Sequence, residues 1–240
     1  MFSDFVKASV AAIFLLCSCD VREDRADCPC YLTLDWSQVD SKTMLDRGYD
    51  AISWSVSAAD GSWRQCGDNP LETLCPATEI EVPKDTVTVM ALCGAAADPV
   101  NGVTVEEGQE YPRLYFYCRD IDATGMMARD TVALHREHAG LFLYMRNVLQ
   151  SGASYTVTGT VSGCSLSGQP VSGPFSVRVP VDGRGLGSVV IPRQVDGSLR
   201  LNVSYAGEVV RSLAIGEYIL QSGYDWTAPD LEDIVMEIDY

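Results

Sequence analysis

The sequence is poor in the residues that carry out chemistry. Its only histidines are His135 and His138, and 17 basic residues stand against 33 acidic ones, a formal net charge of −16. That balance argues against a nucleic acid or an anionic lipid surface as a partner. On a strand, side chains three residues apart point to opposite faces, so the two histidines are ill placed to share a metal. Gly163-Cys164-Ser165-Leu166-Ser167-Gly168 is not a G-x-S-x-G elbow and reads as a polar hairpin turn. Gly183-Arg184-Gly185-Leu186-Gly187 lacks the lysine and the strand-to-helix setting of a phosphate loop. Asp120 and Asp122, or Glu106, Glu107 and Glu110, offer oxygens that calcium accepts, but charged loops without an ion explain them as well. No catalytic residue, metal site or cofactor is therefore assigned. After residue 19 no apolar run reaches the about 20 residues that a membrane-spanning helix needs.

What is present begins at the N-terminus. Residues 1–18 read MFSDFVKASVAAIFLLCS, with Lys7 ahead of an apolar core from Ala8 to Leu16 that is too short to span a bilayer. Leu16-Cys17-Ser18-Cys19 resembles the lipobox of bacterial lipoproteins: an aliphatic at −3, a small residue at −1, then cysteine. A thiolate is nucleophilic enough to take a diacylglycerol as a thioether. Cys19 is the expected acceptor, because choosing Cys17 would put bulky Leu16 at the cleavage position. Removing residues 1–18 takes away Lys7 and Asp4 together and leaves the charge at −16. Residues 19–27 then form a polar tether, whose acidic residues resemble a surface-export signal of Bacteroidetes lipoproteins or serve as an ordinary linker.

Seven cysteines follow: Cys28, Cys30, Cys66, Cys75, Cys93, Cys118 and Cys164, an odd number that leaves at least one thiol unpaired. Cys93 and Cys118 lie in apolar, strand-like runs, where a free cysteine behaves as a small hydrophobe. Cys66 and Cys75 flank a turn-rich loop and are the disulfide candidates in an oxidising compartment. Cys28-Pro29-Cys30 lacks the second ligand pair that structural zinc wants.

The rhythm of the mature chain is all-β. Alternating or β-branched runs fall at Tyr31–Trp36, Ala51–Ser57, Glu79–Val82, Thr86–Leu92, Arg113–Cys118, Thr131–His135, Leu141–Val148, Ser154–Val161, Phe175–Val179, Ser188–Ile191, Ser198–Tyr205, Glu208–Ile215 and Asp233–Asp239. Turn signals such as Asp60-Gly61, Asp182-Gly183 and Asp196-Gly197 separate them, and only Ser41–Arg47 reads as a helical turn. Many short strands at this spacing predict sandwiches, divided near Arg136–Ala139 into an N-terminal unit, 28–136, and a C-terminal one, 137–240. Asp85-Thr86-Val87 and Asp130-Thr131-Val132 resemble the Asp-Ser/Thr-aliphatic O-glycosylation sites of Bacteroides; otherwise Thr86 and Thr131 simply begin two strands.

The C-terminal stretch carries the most specific pattern: Ile191-Pro192-Arg193-Gln194, the Asp196-Gly197 turn, Ser198-Leu199-Arg200-Leu201, Ile215-Gly216-Glu217-Tyr218-Ile219, Gly223-Tyr224-Asp225-Trp226, and Leu231 to Tyr240. With the lipobox and the early Asp27-Cys28-Pro29, it resembles the FimB-type family of fimbrial anchor lipoproteins of Bacteroidetes. The resemblance implies two tandem transthyretin-like (Greek-key) β-sandwich domains and a lipid that holds the chain to the outer membrane. It also implies fimbrillin-type pilus subunits as partners, joined by β-strand addition, and no active site. Ile234, Met236 and Ile238 alternate with polar or smaller positions and form the candidate strand-exchange segment; the alternative is that this strand only closes its own domain. The resemblance also separates an anchor from a shaft subunit. Shaft precursors lose a strand to cleavage after arginine, whereas Arg22 and Arg25 lie in the tether, ahead of any strand. A minor or tip subunit is the nearest variant. A different class of function, a surface glycan-binding lipoprotein, would need exposed aromatics such as Trp36, Trp54, Trp63 and Trp226.

Overall fold

The computed structural model describes residues 28–95, 102–146 and 152–239. The signal segment, Cys19 and the tether lie outside the described residues, as do Asn101, the end of the Leu141–Val148 run and Tyr240.

Turn-separated, alternating segments have only one economical way to hide their apolar faces, which is sheet against sheet. The chain takes it twice. In the first half, β1 (Cys30–Asp35) lies between β4 (Ala77–Val82) and β8 (Met127–Thr131). The facing sheet runs β3 (Arg64–Pro70), β2 (Ala51–Ala58), β5 (Thr86–Cys93), β7 (Tyr115–Asp122) and the short β9 (His135–Arg136). In the second half, β10 (His138–Arg146) lies between β13 (Leu186–Pro192) and β16 (Ile234–Asp239). Its facing sheet runs β12 (Pro170–Val179), β11 (Ala153–Cys164), β14 (Arg200–Tyr205) and β15 (Glu208–Leu213).

The two halves repeat one topology. In each, the first strand pairs antiparallel with a middle strand and parallel with a late one, as Tyr31 opposite Met127 in β8 and Leu141 opposite Ile234 in β16 show. This parallel pairing closes each transthyretin-like Greek-key sandwich. No sequence repeat announces it, because such sandwiches converge on pattern rather than on residue identity.

Each half has its own core, and the sheet between them serves both. Along β5, Val87, Val89, Ala91 and Cys93 enter the first core while Met90 and Leu92 enter the second. On β7, Tyr115 and Tyr117 face the first core and Phe116 the second. A strand covered on both faces reads as a continuous apolar run, as Val87 to Cys93 does. The two-residue strand β6 (Val103–Thr104) completes the junction, pairing with Gly163 and Cys164 of β11.

Three elements differ from the sequence reading. The turn-rich loop after Arg64 is instead β3, an exposed edge strand that needs no apolar alternation and ends, as edge strands tolerate, in a proline. The run expected at Thr131–His135 is broken: β8 ends at Thr131 and β9 starts at His135. The Glu208–Ile215 run ends at Leu213, and a second helix follows. Helix α1 (Ser41–Asp46) is the expected turn, capped by the Asp40 side chain on the Thr43 N–H. Helix α2 (Ile215–Gln221) is the unexpected one. Ile215 and Ile219, four apart, bury one face, and Gly216 lets the helix press on the preceding turn, since a Cβ there would stand 2.5 Å from the Gly197 carbonyl oxygen.

Candidate functional site: an open sandwich edge

The second sandwich is open on one side. β15 ends one of its sheets and β16 ends the other, so among the described residues each presents a row of main-chain groups without a strand partner on its outer side. Between them lies a groove of about 410 Å³ with Leu213, Ile219, Met236 and Ile238 in its walls. On β16, Ile234 and Ile238 are buried and Met236 is half-buried at the groove, while Val235, on the opposite face, is 78% exposed. β16 is fastened through its polar positions, with Arg146 bonded to Glu237 and 3.7 Å from Asp239. β15 is exposed over most of its length and carries Val209 and Val210 outward, with Tyr218 and Leu220 of α2 also exposed nearby in sequence. An edge with apolar side chains and unpaired main chain is what a further strand needs in order to add.

The candidate strand-exchange segment is thus in place but occupied from within: Ile234, Met236 and Ile238 belong to a strand already hydrogen-bonded to β10 of the same chain. Its inner edge closes the domain and its outer edge is open. The groove itself was not legible in the sequence, because Ile215, Tyr218 and Ile219 of its wall come from α2.

The residues of the C-terminal pattern meet at a different place. Arg193, from Ile-Pro-Arg-Gln, lies across from Glu137, Nε to Oε2 at 2.8 Å and Nη2 to Oε1 at 3.0 Å. The same guanidinium donates to the carbonyls of Trp226, Ala228 (2.8 Å) and Pro229 (3.3 Å), so it fixes the loop after Gly-Tyr-Asp-Trp. Tyr224 and Trp226 pack edge to face with ring centres 4.7 Å apart. These motif residues act as framework.

The histidines go separate ways. His138 is buried, its Nδ1–H donating to the Leu114 carbonyl at 2.9 Å and its Nε2 accepting from Arg136 Nε at 3.1 Å. Burial pushes its pKa down to about 4. His135 sits near the surface, 3.2 Å from Asp230. Among the described residues no group of His, Cys, Asp or Glu could hold a metal ion. The acidic candidates have local partners: Asp120 accepts from the Thr88 hydroxyl, Asp122 from Thr124, and Glu110 from the Val190 N–H.

Cys66 and Cys75, the disulfide candidates, are both exposed and are not bonded to each other in this structure: Cys66 belongs to β3, opposite Ser55, and Cys75 lies beyond the short turn Leu71–Thr73. Cys28 is exposed and Cys30 buried, so the C-x-C pair straddles two environments. Thr86 and Thr131 are both exposed, at the first residue of β5 and the last of β8. Trp36, Trp54 and Trp226 are core residues and Trp63 is half-buried against the first core, so the four tryptophans do not form an exposed platform.

Compared as a sequence, the chain matches no family model and no curated protein. Compared as a fold, it is similar to solved structures from Bacteroidetes. A candidate polysaccharide-binding protein of Bacteroides thetaiotaomicron matches with a TM-score of 0.63 at 12% identity, over 88% of this chain and 92% of that one. A candidate adhesin of Bacteroides ovatus gives 0.62 at 10% identity, over 88% of each chain. The fimbrial anchor protein Mfa2 of Porphyromonas gingivalis gives 0.58 at 11% identity, over 87% of this chain and 91% of that one. Identities of this order show a shared fold.

Proposed function

We propose that this chain is a structural anchor or assembly subunit that attaches a fimbria to the outer membrane, at the cell surface. A lipid on Cys19 holds the N-terminus, residues 19–27 act as a tether, and two sandwich units divided near residues 136–139 project outward. A fimbrillin-type subunit docks by adding a β-strand to the open edge of the second unit. The observation that carries this reading is that edge: two unpaired strand borders, β15 and β16, with an apolar groove between them. An added strand would gain main-chain hydrogen bonds from one border and side-chain pockets from the groove. The fold shared with Mfa2 supports the same reading, since that protein is a fimbrial anchor. The net charge of −16 gives no attraction to anionic headgroups, so membrane attachment rests on the lipid.

Cys19→Ala tests the attachment. The variant should leave the membrane fraction and appear in the culture medium, with fimbriae shed alongside it. Retention of Cys19→Ala on the membrane would overturn the lipid anchor; gene deletion that left attached fimbriae of normal length would overturn the fimbrial role.

A further inference from the structure

A second concave site lies where the two sandwiches meet, away from the open edge. Its volume is about 270 Å³, at the small end for ligand pockets and suited to one sugar ring. The first sandwich contributes Arg47, Tyr49, Arg113 and Tyr115 to its walls, and the second contributes Phe142 and Ser188.

The charges in this cavity are unequal in what they are free to do. Glu110 is engaged with the Val190 N–H at 2.8 Å. Asp233 is engaged twice, bonded to Arg136 and accepting from the Gly140 N–H at 3.1 Å. His138 is neutral between Leu114 and Arg136. Arg47 bonds a phenol, the Tyr115 hydroxyl, and lies over the ring of Tyr115 with its guanidinium carbon 5.9 Å from the centre. Among the described residues neither Arg47 nor Arg113 has a carboxylate partner. The three arginines of the lining, Arg47, Arg113 and Arg136, outnumber its two carboxylates, Glu110 and Asp233, and a concavity with an excess of cations is unexpected in a chain with a net charge of −16.

The cavity is built around them. Tyr49 donates to the Arg113 carbonyl at 3.1 Å and meets Tyr115 edge to face, and Tyr115 in turn meets His138. Gly94, at φ +101°, lets the chain pass against that carbonyl, where a Cβ would come within 2.0 Å of the oxygen. Gly140 has the same function on the opposite wall, where a Cβ would meet the Asp233 carboxylate at 2.7 Å and the Phe142 ring at 2.9 Å. The far wall is aromatic: Phe142 is 43% exposed on the outer face of β10, with Tyr144 exposed two residues along. Both border a shallower groove of about 280 Å³ that continues from the cavity past Phe142 and Ser188 toward Leu186 and Val235.

We infer that this cavity binds a carboxylate-bearing sugar, an acidic residue of a surface glycan, with Arg47 and Arg113 on the carboxylate and the Phe142 ring against the sugar. A planar guanidinium matches a carboxylate through paired charge-assisted hydrogen bonds. An exposed aromatic ring supplies the apolar surface that a sugar face covers on binding. The groove beyond Phe142 has room for the next unit of a chain. This site is separate from the anchor reading and does not depend on it.

Calorimetric titration of the full chain with sodium glucuronate, glucose and sodium acetate tests the assignment. Glucuronate should bind saturably, with glucose and acetate at least ten-fold weaker. Arg113→Gln and Arg47→Gln should each weaken glucuronate ten-fold or more, and both arginines are exposed, so an unchanged circular dichroism spectrum is expected alongside. Phe142→Ala should weaken glucuronate while leaving acetate unaltered. Glucuronate that gives no heat, that binds no better than glucose, or that binds equally well to both arginine variants overturns the site; acetate binding as tightly as glucuronate overturns the sugar.

Discussion

Arg193 and Glu137 form a two-pronged ion pair at 2.8 and 3.0 Å, with only about a tenth of either side chain open to solvent. Because the guanidinium also holds three main-chain carbonyls of the 226–229 loop, the pair ties β13 and the start of β10 to the segment that leads into β16. Arg193→Met leaves Glu137 buried without a cation and three carbonyls without a donor. Losing one partner of a buried pair typically costs about 3–5 kcal/mol. Urea denaturation should show that loss, and Arg193→Met with Glu137→Met should recover part of it, since no lone charge remains buried.

His138 makes the fold sensitive to mild acid. Its folded pKa of about 4 lies below the ordinary 6.5 because burial disfavours the imidazolium, with Arg136 as an adjacent like charge. The unfolded chain therefore binds the extra proton between these values, and stability falls as the pH drops from about 6.5 toward 4. At 1.36 kcal/mol per pKa unit, the loss is on the order of 3 kcal/mol. Urea midpoints at pH 7 and pH 4.5 measure it, and His138→Gln should flatten the dependence across that window. Asp35, held down to about 2 chiefly by its hydrogen bond from Arg129, has its effect lower: its contribution is complete above the ordinary carboxylate range and is lost as the pH falls through 2.

Met236 is half-buried in the wall of the groove at the open edge, whereas Val235 is an exposed position at its border. Met236→Lys puts a charge where an added strand would bury its apolar side chains, so binding of a fimbrillin-type donor peptide should weaken by at least ten-fold. Val235→Lys changes an exposed position and should shift stability by no more than about 0.5 kcal/mol. Surface plasmon resonance on both variants, with thermal melts as the control, separates lost docking from lost folding.

Thiol reactivity should sort the cysteines by burial. Cys66 and Cys75 are exposed and free, and should each react quickly with a thiol reagent in the native protein. Cys93 and Cys164 are buried, their thiols pushed up to about 11 and about 12 by desolvation, and should react only on unfolding. Mass spectrometry of the labelled peptides identifies which are modified; protection of Cys66 and Cys75 together would indicate a disulfide between them.

Much of this architecture was legible in the chain itself. Alternation and Asp-Gly turns marked most strands of both sandwiches, and the helical turn read at Ser41–Arg47 is α1. The elements misread were those whose sequence does not alternate. β3 is polar on both sides because it is an edge, and α2 is too short for its helical period to stand out beside the strand that precedes it.

What the sequence by itself determined was local: strands and turns in order, a strongly acidic net charge, and motif residues at the C-terminus. Only the tertiary structure decided which strands became edges, because an edge is defined by the partner a strand lacks, and that depends on the parallel pairing of β10 with β16 across most of the second half. It likewise decided that Arg193 would meet Glu137, 56 residues away, and that Arg47 and Arg113 would line one cavity. Side-chain period reports which face of a segment is apolar, whereas a site made from several segments depends on long-range pairings that no local pattern encodes.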